Sequence, residues 1–146
     1  MIKIAYPPYQ PKIKKEQGKE FIFDGIRKQW IMLTPEEWVR QNFLQYLTRV
    51  KKYPATLIAV EKEIQLGDLA KRFDIVVYDR NTRPWMIIEC KEMDVVLTAQ
   101  VLNQALRYNI ALNVPFIVIT NGTDCYGFAG NTGKLEDLHE LPEYET

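Results

Sequence analysis

The chain has 146 residues, 47% hydrophobic and 26% charged, which fits one domain with its own core and an ordinary soluble globular composition. Nineteen Lys and Arg balance nineteen Asp and Glu, so an indiscriminate polyanion binder, which needs a basic surplus, is excluded while a local basic patch is not. The opening MIKIAYPPYQPKIKKEQG lacks the apolar stretch of a signal peptide, and no run is long enough to span a membrane. Cys90 and Cys125 lie in apolar runs without CxxC spacing, so reduced core thiols and a cytoplasmic setting are expected.

Residues 1–19, rich in Pro, Tyr and Lys, read as an arm laid over the body or left mobile. In FIFDGIRKQWIML, Phe21, Phe23, Ile26, Trp30 and Met32 surround the turn signal Asp24-Gly25, which predicts a hairpin exposing Arg27 and Lys28. LTPEEWVRQNFLQYLTRVKKY predicts a helix: Thr34 suits the N-cap, Pro35 the first turn, and Glu37 completes a T-x-x-E capping box. Val39, Phe43, Leu47 and Val50 form its apolar stripe, with Glu36 at the inward-facing head and Glu37 pointing elsewhere. The helix is expected to end near Lys52, before Tyr53-Pro54.

Residues 56–64 read as a strand on which Glu61 and Glu63 are solvated, Glu63 being the one placed to approach a site. QLGDLAKR is then a turn, FDIVVYD a strand, DRNTRP a turn and WMIIEC a strand. A second amphipathic helix is predicted from Val96 through Leu97, Val101, Leu102, Ala105, Leu106 and Ile110 to Leu112. PFIVIT is a strand, Asn121-Gly122 a turn and DCYGFA a short strand. The acidic tail from Leu135 carries the one histidine, His139, and looks peripheral. There is no internal repeat or domain boundary, so residues 1–146 read as a single unit with its core at 34–128 and a peripheral tail at 135–146.

A strand–helix–strand passage from WMIIEC to PFIVIT requires a parallel pair, whereas the strands joined by short turns pair antiparallel. The expected fold is α/β, a mixed sheet flanked by helices. Antiparallel pairing also lays the start of FDIVVYD beside the end of WMIIEC, bringing Asp74 near Glu89 and Lys91 at one sheet edge. Carboxylates are the hard ligands that Mg²⁺ or Mn²⁺ requires, and a lysine can position an attacking water and offset phosphate charge.

Asp74 followed by Glu89-Cys90-Lys91 resembles the D…ExK core of the PD-(D/E)xK nuclease superfamily. Gln104 and Tyr108 on the following helix form the Q-x-x-x-Y of its RecB-like and type I restriction branches, and the span from about Thr34 to Phe128 resembles the N-terminal domain of type I restriction enzyme R subunits. Phe73 stands where the superfamily name has proline. The resemblance implies a restriction-endonuclease-like αβββαβ core, a metal site of Asp74, Glu89 and Glu36, catalysis by Asp74, Glu89, Lys91, Gln104 and Tyr108 with Mg²⁺ or Mn²⁺, and DNA as substrate.

R subunits also carry a helicase motor, but no Walker A pattern occurs in these residues, so a restriction or helicase partner protein is one expectation and a homodimer another. Lys71, Arg72 and Arg107 are candidate DNA-backbone contacts or a solvated surface. The competing reading is a non-catalytic module that binds DNA or a protein through the same face.

Overall fold

Runs of Ile, Val and Met with no charge among them demand burial on both sides, and in this computed structural model three such runs form the centre of a sheet between two helices. The structure describes residues 1–131 and 134–144, with the side chains of 66, 69, 108–112, 131 and 134 outside that description. First comes an antiparallel meander of β1 (Ile13–Glu16), β2 (Lys19–Asp24) and β3 (Gln29–Met32). Helix α1 (Pro35–Gln45) follows, prolonged by a wider π-type turn over Tyr46–Val50. Next are β4 (Ile58–Leu66), β5 (Leu69–Tyr78), β6 (Pro84–Cys90), α2 (Ala99–Leu112), β7 (Phe116–Thr120), β8 (Cys125–Asn131) and β9 (Lys134–Leu138).

Strands β4 to β9 form one six-stranded sheet in chain order, antiparallel except for the parallel β6–β7 pair that α2 bridges. The order α1, β4, β5, β6, α2, β7 is the expected αβββαβ arrangement in a mixed α/β sheet. Alternating strand residues feed two cores. Ile75, Val77, Met86 and Ile88 pack with Val39, Phe43 and Leu47 of the α1 side, while Val76, Ile87, Ile117 and Ile119 pack with Val101, Leu102 and Ala105 of α2. Between β5 and β6, Asp79 Oδ1 accepts the N–H groups of Asn81 at 2.8 Å and Arg83 at 3.0 Å, and Asp79 N–H donates to Arg83 O at 2.8 Å. That Asx-type turn closes the hairpin next to a register irregularity at Val77/Tyr78.

Several boundaries differ from the sequence expectation. Residues 13–16, assigned to an arm, form β1, because pairing with β2 supplies the order that a one-apolar segment cannot signal. The arm itself lies over the body: Ile2 is buried and its N–H donates to Cys125 O at 2.8 Å. Helix α2 starts at Ala99, leaving Val96 in the preceding loop at 73% exposure. The acidic tail is not peripheral. Residues 134–138 extend the sheet, Leu141 is buried, Tyr53 Oη donates to Pro142 O and Tyr144 Oη to Tyr78 O, both at 2.6 Å. No helix among the described residues is long and apolar enough to cross a membrane.

Candidate active site

The β5–β6 register sets Ile75 opposite Ile88, so Asp74 and Glu89 fall side by side one step further on. Asp74 Oδ2 accepts the Cys90 N–H at 2.8 Å, tying the aspartate to the strand that carries Glu89 and leads into Lys91. Lys91 N–H donates to Thr120 O at 2.8 Å and holds that strand end against β7. Asp74 does not start its strand as expected. Lys71 and Ala70 already pair with Ile64 and Gln65, which lengthens β5 backwards and puts Asp74 in its middle.

The side-chain alternation of β5 breaks at Asp74. Strict alternation would put Phe73 and Ile75 on one face, yet Phe73 packs in the α2-side core and Ile75 in the α1-side core. At the same place the β4–β5 register passes from Val60↔Ile75 to Lys62↔Phe73, and Glu61 between them takes φ 52°. A non-glycine residue in the left-handed region is uncommon and costs backbone strain. The irregularity turns Asp74 toward α1 while Glu89 remains within reach.

What α1 brings to Asp74 is an arginine. Thr34 Oγ1 accepts the Glu37 N–H at 3.0 Å, so the capping expectation holds for that bond. The Glu37 carboxylate is drawn inward instead, accepting from Arg40 Nη1, from Gln41 at 3.0 Å and from Arg27 at 3.1 Å. Arg40 is buried and donates to Asp74 Oδ1 at 2.6 Å, with Glu61 at 3.5 Å and Glu36 at 3.6 Å. Burial opposes its charge, but the hydrogen bond to Asp74 and the negative charges of Glu37, Asp74 and Glu61 outweigh that, so its pKa is raised.

Three expectations are corrected here. The side chain of Glu37, not Glu36, is the buried one, at 5% exposure against 49%, because the meander docks on that flank of α1. Arg27 is not exposed: it donates to Asp24 Oδ2 at 2.7 Å and Glu61 Oε2 at 3.0 Å as well as to Glu37. Glu61, not Glu63, is the β4 acid that reaches the site. Asp24 is fully buried; burial alone would raise its pKa, but the bonds from Arg27 and Gln41 lower it on balance.

Glu36 still belongs to the neighbourhood. Partial burial and then the charge of Asp74 raise its pKa, against Arg40 and Lys91. Burial and then the Asp74 charge push Glu89 up to about 7, with Lys71 and Lys91 opposing. Among the described residues, Glu89 Oε1 is buried without a hydrogen-bond partner, with Lys71 Nζ 4.0 Å away.

Two clefts, each of about 250 Å³, meet at Lys71 and Glu89. One is lined further by Lys91, Val101 and Gln104; the other by Glu36, Arg40, Glu61, Arg72 and Asp74. Gln104 therefore shares a cleft with Glu89 and Lys91, while the side chain of Tyr108 lies outside the described residues.

The donor set suits a hard divalent cation. An ionised carboxylate offers about four lone-pair sites, of which Asp74 commits one to Arg40 and one to Cys90 N–H. Glu89 adds a buried oxygen that accepts no hydrogen bond among the described residues. No group of three or more His, Cys, Asp or Glu stands ready to enclose an ion among the described residues. A two-carboxylate seat is what Mg²⁺ commonly uses, since it keeps several waters.

Compared with known proteins, residues 35–142 match the family described as type I restriction enzyme R protein N terminus (HSDR_N). The chain belongs to this family. The match of this R-protein N-terminus member begins at the first residue of α1 and takes in both clefts, so the segment that carries Glu36, Arg40, Asp74, Glu89, Lys91 and Gln104 is the family's own. No curated protein sequence matches the chain. A crystal structure from Anabaena variabilis ATCC 29413, described as a candidate nuclease of DUF820, aligns with a TM-score of 0.48 at 15% identity, covering 92% of this chain and 80% of that one.

Residue by residue, the structure sets Asp74, Glu89 and Lys91 together, places Glu36 beside Asp74 and puts Gln104 across the cleft. Sequence reasoning missed Arg40 and Glu61. A signal for Arg40 was available: it stands three residues after Glu37 and four before buried Leu44, on the helix face that turns inward.

Proposed function

We propose that this protein is a metal-dependent DNA endonuclease of the restriction type, acting at the junction of the two clefts. The observation that carries the reading is the Asp74–Glu89 pair, with a buried Glu89 oxygen that has no hydrogen bond among the described residues, in a cleft that Lys91 also lines. Asp74 and Glu89 would hold Mg²⁺ or Mn²⁺, with Glu36 in support. When bound, the ion would supply Lewis-acid stabilisation of phosphate charge and a water acidified toward neutrality.

Lys91 orients the attacking water and offsets charge on the phosphate. Gln104 shapes the phosphate pocket from α2, and Tyr108, one turn further along that helix in the sequence, is assigned to the same task by the Q-x-x-x-Y resemblance. Arg40 holds Asp74 in the rotamer that faces the seat. Because Glu89 must lose its proton to ligate, Mn²⁺ affinity should rise with pH through about 7, with proton release measurable by calorimetry in buffers of different ionisation enthalpy.

The test is plasmid cleavage in Mg²⁺. Asp74→Ala or Lys91→Ala should reduce cleavage by about 10²–10³-fold or more with the fold retained; equal activity in the variants would instead identify a contaminating nuclease. The Arg40–Asp74 ion pair favours a second reading, a non-catalytic DNA- or protein-binding module in which the guanidinium stands in for a metal. Titration of Mn²⁺ separates the two: binding that Glu89→Gln removes supports the enzyme, and DNA affinity without any metal binding supports the module.

A further inference from the structure

The outer face of the β1–β3 meander is built unlike an ordinary solvated sheet face. The register sets Lys14, Phe21 and Met32 in one cross-strand row, with Phe23 and Trp30 in the next. The Phe23 N–H donates to Lys12 O at 2.9 Å and brings Lys12 into that second row. The opposite face, with Ile22 and Asp24, is the one buried against α1. The outward six residues thus put both cations on β1 or its extension and every large apolar group on β2 and β3, with Trp30 38% and Met32 46% exposed. The rings form one surface: Phe23 meets Trp30 edge-on at 5.4 Å between centroids, Lys14 Nζ lies 4.6 Å above Trp30 and Lys12 Nζ 5.8 Å above Phe23. Lys14 also pairs with Glu16 at 3.1 Å, on the solvent side.

Residues of β3 continue into the site. Ile31 and Met32 line a cleft together with Glu36, Arg40 and Glu61. An exposed Trp30 flanked by the half-buried Phe21 and Phe23 beside a lysine edge is what unstacked bases and their phosphates require: bases stack on aromatic faces, and the backbone follows the cations. Lys12 and Lys14 are the charged side chains within the two rows, Glu16 is paired with Lys14 next to them, and the acids of the cleft begin beyond Met32.

We infer that the outer face of the meander binds single-stranded DNA, stacking bases on Phe21, Phe23 and Trp30 with phosphates along Lys12 and Lys14, and leads the strand toward Asp74 and Glu89. On binding, the two ammonium groups leave the ring faces for the phosphates. The inference rests on the reading of the protein as one that acts on DNA.

The test is fluorescence anisotropy of the full chain with fluorescein-labelled oligo(dT) in EDTA, where no cleavage can occur. Trp30→Ala should weaken binding at least about fivefold, the smallest loss expected for one stacked base, and Trp30→Phe should restore most of it. Lys12→Gln with Lys14→Gln should flatten the log–log salt dependence by about 1.4, at ~0.7 per phosphate on a single strand. Circular dichroism of each variant shows that the fold is retained. No binding by the wild type, or equal binding by wild type and variants, overturns the inference and leaves the face to a protein partner. Binding that depends on Trp30 in a protein that never cleaves sinks the nuclease reading but not this one; Asp74-dependent cleavage with binding indifferent to Trp30 does the reverse.

Discussion

Ile75, Ile88 and Val118 in the six-stranded sheet and Ile22 and Asp24 in the three-stranded meander are all fully buried, yet the two sheets are held in place differently. The large sheet has apolar cores on both faces, so many small, non-directional contacts fix where its strands run. The meander meets α1 through Asp24, Arg27, Glu37 and Gln41, whose hydrogen bonds specify direction as well as contact. That polar seam continues through Arg40 to Asp74. Apolar packing puts the backbone of the candidate site in place, and the seam decides which way its aspartate faces.

The largest effect is expected from cutting the seam. Arg40→Met leaves Asp74 without its cation and Glu37 with Arg27 alone, and should cost about 3–5 kcal/mol in urea unfolding. Amide exchange should rise in β1–β3 and at Cys90 more than in β7. A loss below about 1 kcal/mol would mean that the seam is no stronger than a surface ion pair.

Ile88→Ala, in the apolar layer, should cost ~2–4 kcal/mol, with exchange rising across β5, β6 and β7 while the Asp74–Arg40 pairing persists. A variant that loosened the meander first would erase the contrast.

Glu89→Gln is expected to act with the opposite sign. The carboxyl titrates near 7 in the fold against an ordinary 4.5, so the folded chain keeps a proton that the unfolded chain releases. Stability from this group is therefore complete below pH 4.5 and lost as pH rises through 7. The amide, which cannot ionise, should stabilise the metal-free protein by about 2–3 kcal/mol at pH 8 and leave it unchanged at pH 4, read from thermal melts at the two values. The smallest effect belongs to Trp30→Ala, within ~0.5 kcal/mol of wild type, because that ring covers the meander's outer face without closing a core.

The sequence exposed the central strands well, because IVV, MII and FIVI are the runs that two-sided burial produces. It exposed the D…ExK pairing for the same reason: charges stand out against such runs. Strands IKKE and KLEDL escaped notice, since edge strands with one or two apolar residues look like loops until a neighbour supplies the ladder. Glu36 and Glu37 were exchanged in their burial. The stripe of Val39, Phe43 and Leu47 describes the flank of α1 on the large sheet, and nothing in it announces that the meander covers Glu37 and Gln41 as well. Glu61 was illegible because its role comes from a left-handed backbone opposite Asp74, a product of tertiary strain.

The turn closed by Asp79 touches neither cleft, yet it governs what can change in this chain over time. Sheet side chains alternate, so sliding β6 by one residue against β5 would exchange Glu89 with a core neighbour and bury its charge in hydrocarbon. Length variation between Asp79 and Arg83 should therefore be selected against as firmly as substitution of Glu89, and lineages altering that turn should be those in which the acid has already gone.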